Sequence, residues 1–295
     1  MRLIFIHGIN NESLTVEQIR NSWFGALEDG WQRLGLTTPS QLSIEAAYYA
    51  DILAQASGNR PPAVEMGLPV EANSCLAIEF LRSYAEMAGV SEHELREAAV
   101  EEGLPQEAVA QGIPHEGWVI AFARALEHVL PTKGKYVAKH FLRQAAIYIG
   151  DSVLAEKIAD TVAKQVFYDK PDPMVIIGHS LGSVVGYRLL ASDSMMTRDI
   201  PLFVTLGSPL SVDMFKPMLP KRGLFPNPPM ARWLNGRNEN DFVTLGKPIN
   251  KKSIGFEGVD DEIDVVDNSG DRHDIHAYLR SPKIAQAIHD AVTTN

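Results

Sequence analysis

The sequence predicts an α/β fold, a mainly parallel sheet flanked by helices, with a helical insertion. Three observations carry the prediction. The runs Leu3 to Ile6 and Met174 to Ile177 are continuously apolar, as strands covered on both faces are. Each ends at a glycine-containing turn, after which apolar residues return at helical spacing. Successive strand candidates are far enough apart for the crossover connections that parallel strands need.

The first run stops at His7-Gly8. Thr15, with Gln18 three residues on, forms a capping-box pattern, and Val16, Ile19, Trp23, Leu27, Trp31 and Leu34 then mark one helix face up to Gly35. Ser43 to Tyr49 reads as a second strand. From about residue 51 to 150 helical patterns take over. Leu76, Phe80, Tyr84 and Met87 share a face, Ser91 and Glu94 form a second capping box, and Trp118, Phe122, Ala125, Leu126 and Val129 mark a further helix. With almost no strand signal and no repeat, this stretch is expected to be a helical insertion or cap within a single domain of residues 1–295. Its position between two strands suggests that it covers a site, with Trp118 and Phe122 as candidate pocket residues. Leu154, Ile158, Val162 and Val166 form the next helix, stopped by Asp169-Lys170-Pro171-Asp172-Pro173. Further strands are expected at Leu202 to Leu206, Ala231 to Leu234 and Ile263 to Val266. The stretch Phe215 to Pro229, apolar and with five prolines, suits either an acyl-pocket lining or an extended surface connection.

Composition narrows the function classes. With 45% hydrophobic and 22% charged residues the chain can bury a large core. A net charge of −10 disfavours a nucleic-acid partner, which calls for a basic surface, and the basic groupings Lys216 to Arg222 and Lys247 to Lys252 are broken by apolar residues and prolines. The lone Cys75 rules out an intrachain disulfide and reads as apolar filler. The N-terminal apolar run is too short for a signal peptide and no stretch is long enough for a membrane span, so a cytoplasmic protein is expected.

The chemistry concentrates at Val175-Ile176-Ile177-Gly178-His179-Ser180-Leu181-Gly182, followed by the helical pattern of Val184 and Val185. A buried strand entering G-x-S-x-G and leaving as a helix is the context of a nucleophile elbow, which lifts the serine hydroxyl above the sheet. Side chains at Gly178 and Gly182 would collide with so sharp a turn, and the new helix directs its N-terminus and the Leu181 N–H towards the serine. Ser180 is thus the expected nucleophile. Neither G-x-G-x-x-G nor a P-loop pattern is present to favour a phosphate cradle, and no histidine pair has metal-ligand spacing.

His7-Gly8-Ile9-Asn10 resembles the H-G motif of lipases and esterases. The closing run, Val265-Val266-Asp267-Asn268 and then His273-Asp274-Ile275-His276-Ala277-Tyr278-Leu279, resembles bacterial lipase-like and esterase-like α/β hydrolases that end with V-D-N, a loop and H-x-I-x-x-Y-L before a last helix. The resemblance covers Met1 to Leu36 and Leu154 to Val292 but not the insertion. It implies an α/β-hydrolase fold, an oxyanion hole formed by the Ile9 and Leu181 amides, and a triad of Ser180, Asp241 and His273 in the chain order that fold uses. Asp241 closes the polar loop after Trp233-Leu234, with Glu239 and Asp213 as alternatives. His273, in the loop before the helix, is preferred as base over His276, one turn inside it. His7 is read as structural, His179 as packed beside the nucleophile, and His93, His115, His128, His140 and His289 as surface or packing residues.

The expected activity is therefore hydrolysis of a carboxylester or lipid ester without metal or organic cofactor. The same triad would also serve a thioesterase or peptidase. A non-enzymatic interaction protein on a hydrolase scaffold is the rival from another class.

Overall fold

A computed structural model of the chain describes residues 1–58, 74–101, 106, 119–129, 141–168, 172–192, 195, 197–211, 231–255, 257–262 and 271–294. In chain order the elements are β1 (Arg2–Ile6), α1 (Val16–Arg33), β2 (Ser43–Ala47), α2 (Ala50–Gly58), α3 (Ser74–Ala88), α4 (Glu92–Glu101), α5 (Val119–Val129), α6 (Phe141–Gly150) and α7 (Ser152–Val166). Then follow β3 (Met174–His179), α8 (Leu181–Leu190), β4 (Leu202–Leu206), a short 3-10 turn at Pro209–Ser211, β5 (Trp233–Gly236), α9 (Lys251–Ile254), β6 (Val259–Glu262), α10 (Ile275–Arg280) and α11 (Pro282–Thr293). They form two compact units, residues 1–49 with 159–295, and residues 50–158.

The first unit is of the α/β class. Its six strands form one sheet in the order β2-β1-β3-β4-β5-β6, every neighbouring pair parallel. The four inner strands are buried along their whole length. On one face, Leu3 and Phe5 of β1, Val175 and Ile177 of β3, Val204 and Leu206 of β4 and Leu234 of β5 join a core with Trp23, Leu27 and Trp31 of α1 and with Tyr278, Leu279, Ile284 and Ile288 of α10 and α11. On the other face α8 packs against β3 and β1, and Tyr187 and Phe203 each place a ring centroid 5.2 Å from that of Trp233.

Helix α1 begins at the expected capping box: the Thr15 side chain accepts from the Gln18 N–H while the Gln18 side chain accepts from the Thr15 N–H. Ile19, Trp23, Leu27 and Trp31 are buried, whereas Val16 and Leu34, at the ends of the pattern, are exposed. Gly35, at φ +70°, ends the helix in a left-handed residue that glycine adopts without a Cβ penalty.

The strand expected at Ala231 to Leu234 runs two residues later, over Trp233–Gly236, and the one expected at Ser43 to Tyr49 ends at Ala47. The last strand is Val259–Glu262, while the expected Ile263 to Val266 lies outside the described residues.

The second unit is helical, as the patterning predicts. Phe80 and Tyr84 of α3 meet Phe141 of α6, with Phe80 and Tyr84 centroids 4.8 Å apart and Tyr84 and Phe141 5.8 Å apart. Phe122, Leu126 and Val129 of α5 are buried, and α5 packs on α3, α4 and α6. The Ser91–Glu94 box caps α4. Trp118 and the side chains of Leu76, Met87 and Cys75 lie outside the described residues. No described helix is long and apolar enough to cross a membrane.

Candidate active site

Register brings the site together. Ile6 pairs with Gly178, His179 with Leu206, and Leu206 with Gly236, so the turns that follow β1, β3, β4 and β5 emerge along one carboxyl edge. The chain leaves β1 and β3, the adjacent central strands, in opposite directions to β2 and to β4. In parallel α/β sheets this switch point is where a ligand crevice opens.

At that point stands Ser180, between β3 and α8, with φ 53° and ψ −129°. Positive φ in a residue other than glycine costs on the order of 1–3 kcal/mol and persists where surrounding structure holds it. Here the surroundings are tight. A Cβ on Gly178 would lie 2.6 Å from Ser183 Cα, and one on Gly182 would strike the carbonyl oxygens of Ile6 and His7. The Ser183 hydroxyl is hydrogen-bonded to the Ser180 carbonyl and to Ser208 Oγ, which ties the elbow to the turn after β4. Ser180 Oγ is buried and makes no hydrogen bond among the described residues, His273 included.

The turn after β1 is built around His7. The Tyr49 N–H donates to His7 Nε2 at 3.2 Å, which leaves the proton on Nδ1 for the Gly8 carbonyl at 2.6 Å, and the Tyr49 ring stacks on the imidazole at 4.3 Å. Burial holds the His7 pKa down at about 4 against that hydrogen bond, so the ring is a neutral brace. Gly8 then passes so near the nucleophile that an added Cβ would lie 2.7 Å from Ser180 Cβ. The next residue is Ile9, whose carbonyl accepts from the Asn11 side chain at 2.7 Å. Leu181 opens α8, and first-turn N–H groups have no intrahelical acceptor.

After β5, Asp241 is fully buried. Its Oδ2 accepts from His273 Nδ1 at 2.8 Å and from the Tyr278 hydroxyl at 2.8 Å, and its Oδ1 accepts from the Val243 N–H at 2.8 Å. Glu239 is exposed in the same loop, and Asp213 lies outside the described residues. Burial pulls the His273 pKa down, but the charge and hydrogen bond of Asp241, with Asp271 and Asp274 beyond, outweigh it and the net direction is up. His273 is also held from the elbow: its carbonyl accepts from His179 Nε2 at 3.0 Å, and the two rings lie 4.5 Å apart. Burial first, and the neighbouring His273 second, keep His179 well below the ordinary range and neutral.

A polar file across the sheet carries the acid loop. Thr205, Asn235 and Asp261 stand opposite one another on β4, β5 and β6. The Thr205 hydroxyl donates to Asn235 Oδ1, Asn235 Nδ2 to Asp261 Oδ1, Arg237 Nε to Asp261 Oδ2 at 2.6 Å, and Arg237 Nη1 to the Gly246 carbonyl, so Arg237 pins both ends of the loop that holds Asp241.

His276 belongs to a different array: Nδ1 contacts Asp274 Oδ1 at 2.7 Å and Nε2 contacts Ser22 Oγ at 2.6 Å. These are the residue types of a relay, yet Ser22 lies inside α1, where the backbone amides are spent on helical hydrogen bonds and cannot hold an oxyanion. His93 and His128 are exposed beside Glu97 and Glu101, and His289 packs on Trp31; His115 and His140 lie outside the described residues.

Comparisons of the chain with models of protein families, with curated proteins and with solved structures gave no match. The site is therefore read from its own geometry. Sequence patterning gives no role to Gly207 or Arg237, and Tyr278 enters it only as the tyrosine of H-x-I-x-x-Y-L. Gly207 follows β4 at φ +55°, and its only sequence signal was the Gly207-Ser208-Pro209 turn. Among the described residues no three His, Cys, Asp or Glu side chains gather as a metal site would require.

Proposed function

We propose that this chain is a serine hydrolase of the α/β-hydrolase type, cleaving an ester through an acyl-enzyme on Ser180. The observation that carries the reading is the buried Asp241–His273 pair, 2.8 Å apart, tied through His179 to a serine held at positive φ on a strand-to-helix turn. A structural serine gains nothing from that strained backbone. A nucleophile does, because the turn lifts its oxygen towards substrate and sets it beside the N-terminus of α8.

In the proposed reaction His273 Nε2 takes the Ser180 proton as Oγ attacks the ester carbonyl carbon. The resulting oxyanion accepts hydrogen bonds from the Ile9 and Leu181 N–H groups. The imidazolium, stabilised by Asp241, gives its proton to the departing alcohol, and water activated by the same imidazole then hydrolyses the acyl-enzyme. The hydrogen bond from Ser180 to His273 would form only with substrate bound, as catalytic hydrogen bonds often do. A carboxylester or lipid ester is the proposed substrate class.

A fluorophosphonate probe and a series of nitrophenyl esters test the reading. The wild-type chain should hydrolyse the esters and take up one probe on Ser180, and Ser180→Ala should do neither while melting at nearly the same temperature. Labelling that survives in Ser180→Ala would remove the assignment, and inertness of the wild type would favour a binding role.

A further inference from the structure

We propose that Tyr278 is a positioning residue for this reaction, its phenol holding the same Asp241 oxygen that orients His273. The proposal rests on the reading of Ser180, Asp241 and His273 as a triad. The Tyr278 hydroxyl donates to Asp241 Oδ2 at 2.8 Å and accepts from the Asn238 N–H at 3.0 Å. Oδ2 thus receives the phenol and the imidazole together, while Oδ1 is taken by the Val243 N–H.

Among the described residues no lysine or arginine pairs with Asp241, whose side chain is fully buried. Its two oxygens are satisfied by the phenol, the imidazole and the Val243 N–H, so loss of the phenol leaves a buried acceptor one partner short. Burial first, and the Asp241 charge second, hold the Tyr278 phenol well above its ordinary range, so it remains a donor wherever the protein is folded.

The placement has a mechanical side as well. Tyr278 is on α10, and His273 sits just before the Asp274 N-cap of that helix. One helix therefore carries both the base and the clamp on the acid, and the clamp also reaches Asn238 at the head of the acid loop. Movement of α10 would shift base and acid together.

Donation by the phenol draws charge from the oxygen that faces the imidazole. Without it, more of the Asp241 charge bears on His273, which favours the imidazolium and raises the pH at which the base becomes neutral. The charged groups that act on His273 are Asp241 from the β5 side and Asp271 and Asp274 from its own segment, with the His179 ring against it; Arg237 acts on Tyr278, and His276 on His179. Of these, replacing the phenol by a phenyl ring changes only Tyr278.

The test uses the full chain with Tyr278→Phe and, separately, 3-fluorotyrosine installed at position 278, which strengthens the O–H donor. Nitrophenyl ester hydrolysis is followed against pH, with fluorophosphonate labelling of Ser180→Ala as the control on the triad itself. Tyr278→Phe should lower kcat about 10- to 100-fold, the range for losing a hydrogen bond to a buried charge, and move the acidic limb of the profile to higher pH. The fluorinated side chain should move that limb the other way with kcat nearly kept. In an Asp241→Ala background Tyr278→Phe should cost nothing further, because its effect passes through the acid. Should Tyr278→Phe fail to fold, the fluorinated chain alone decides. Limbs that do not move, or a loss that adds in full to that of Asp241→Ala, would make Tyr278 a packing residue and overturn the proposal. Labelling that persists in Ser180→Ala would instead remove the triad reading, and the proposal with it.

Discussion

Gly207 closes against His273: a Cβ at this glycine would stand 2.9 Å from the imidazole Nδ1 and Cε1 and 3.0 Å from Asp241 Oδ2. The turn after β4 is the wall on which the acid and base meet. Gly207→Ala should push the pair apart and also strain a backbone at φ +55°. Misplacement by about 1 Å is expected to lower kcat roughly 100-fold, with stability reduced by about 1 kcal/mol. Ester turnover and a thermal melt check both, and wild-type turnover in the variant would separate the pair from the chemistry.

The raised pKa of His273 fixes one limb of the activity profile. A general base must be neutral, so kcat/KM should fall as pH drops below a value higher than the free imidazole's 6.5. Burial alone would have put the limb lower, and Asp241 reverses that. Asp241→Asn should therefore move the limb down as well as slow the reaction by about 10⁴-fold. An acidic limb below 6.5 in the wild type would contradict the assignment.

Two histidines three residues apart make opposite predictions. His276 is occupied by Asp274 and Ser22, so His276→Ala should cost on the order of 1 kcal/mol and leave the pH profile in place. His273→Ala should lose 10⁴-fold or more of acylation, measured as the rate of fluorophosphonate labelling. The reverse pattern would move the base into α10.

Legibility in the sequence followed burial. Strands β1, β3 and β4 are covered on both faces, so β1 and β3 read as the continuous apolar runs Leu3 to Ile6 and Met174 to Ile177 and β4 as apolar but for Thr205, and both capping boxes stand where their residue spacing put them. Strand β6 did not read as a strand because Val259-Asp260-Asp261-Glu262 is an edge that pairs on one side only and carries three acidic residues. One of these, Asp261, is committed to Asn235 and Arg237, partners that no local pattern reveals. Among the proposed site residues, Ser180 announced itself through a contiguous motif. Tyr278 stands in the H-x-I-x-x-Y-L run with nothing to mark its role, since its partner Asp241 lies 37 residues away in the chain.

Phe122 was a candidate pocket residue on sequence grounds, yet it is 3% exposed on α5, in line with Leu126 and Val129. Its removal should act on packing. Phe122→Ala is expected to cost about 3–5 kcal/mol, read from the urea midpoint, with the ranking of nitrophenyl ester chain lengths unchanged. A changed ranking at unchanged stability would return Phe122 to the pocket.

The histidine that braces the turn after β1 should make the protein sensitive to acid. In the unfolded chain His7 takes up a proton near its ordinary value of 6.5, but in the fold burial lowers that to about 4, because a charged ring there would be cut off from water. Between these values the unfolded state binds the extra proton, so stability rises with pH across this window and is complete above 6.5. As pH falls from 6.5 towards 4 the contribution is lost, on the order of 3 kcal/mol for a shift of that size. His179, also held neutral by burial, pulls the same way, whereas the raised pKa of His273 has the opposite sign: its contribution is complete below 6.5 and lost as pH rises through the folded value. A variant isolates His7. His7→Gln can still offer a donor to the Gly8 carbonyl and an acceptor to the Tyr49 N–H, but it does not titrate. Urea midpoints measured from pH 7 to pH 4 should therefore fall less steeply in His7→Gln than in the wild type. Parallel slopes in the two proteins would show that the acid sensitivity comes from other groups.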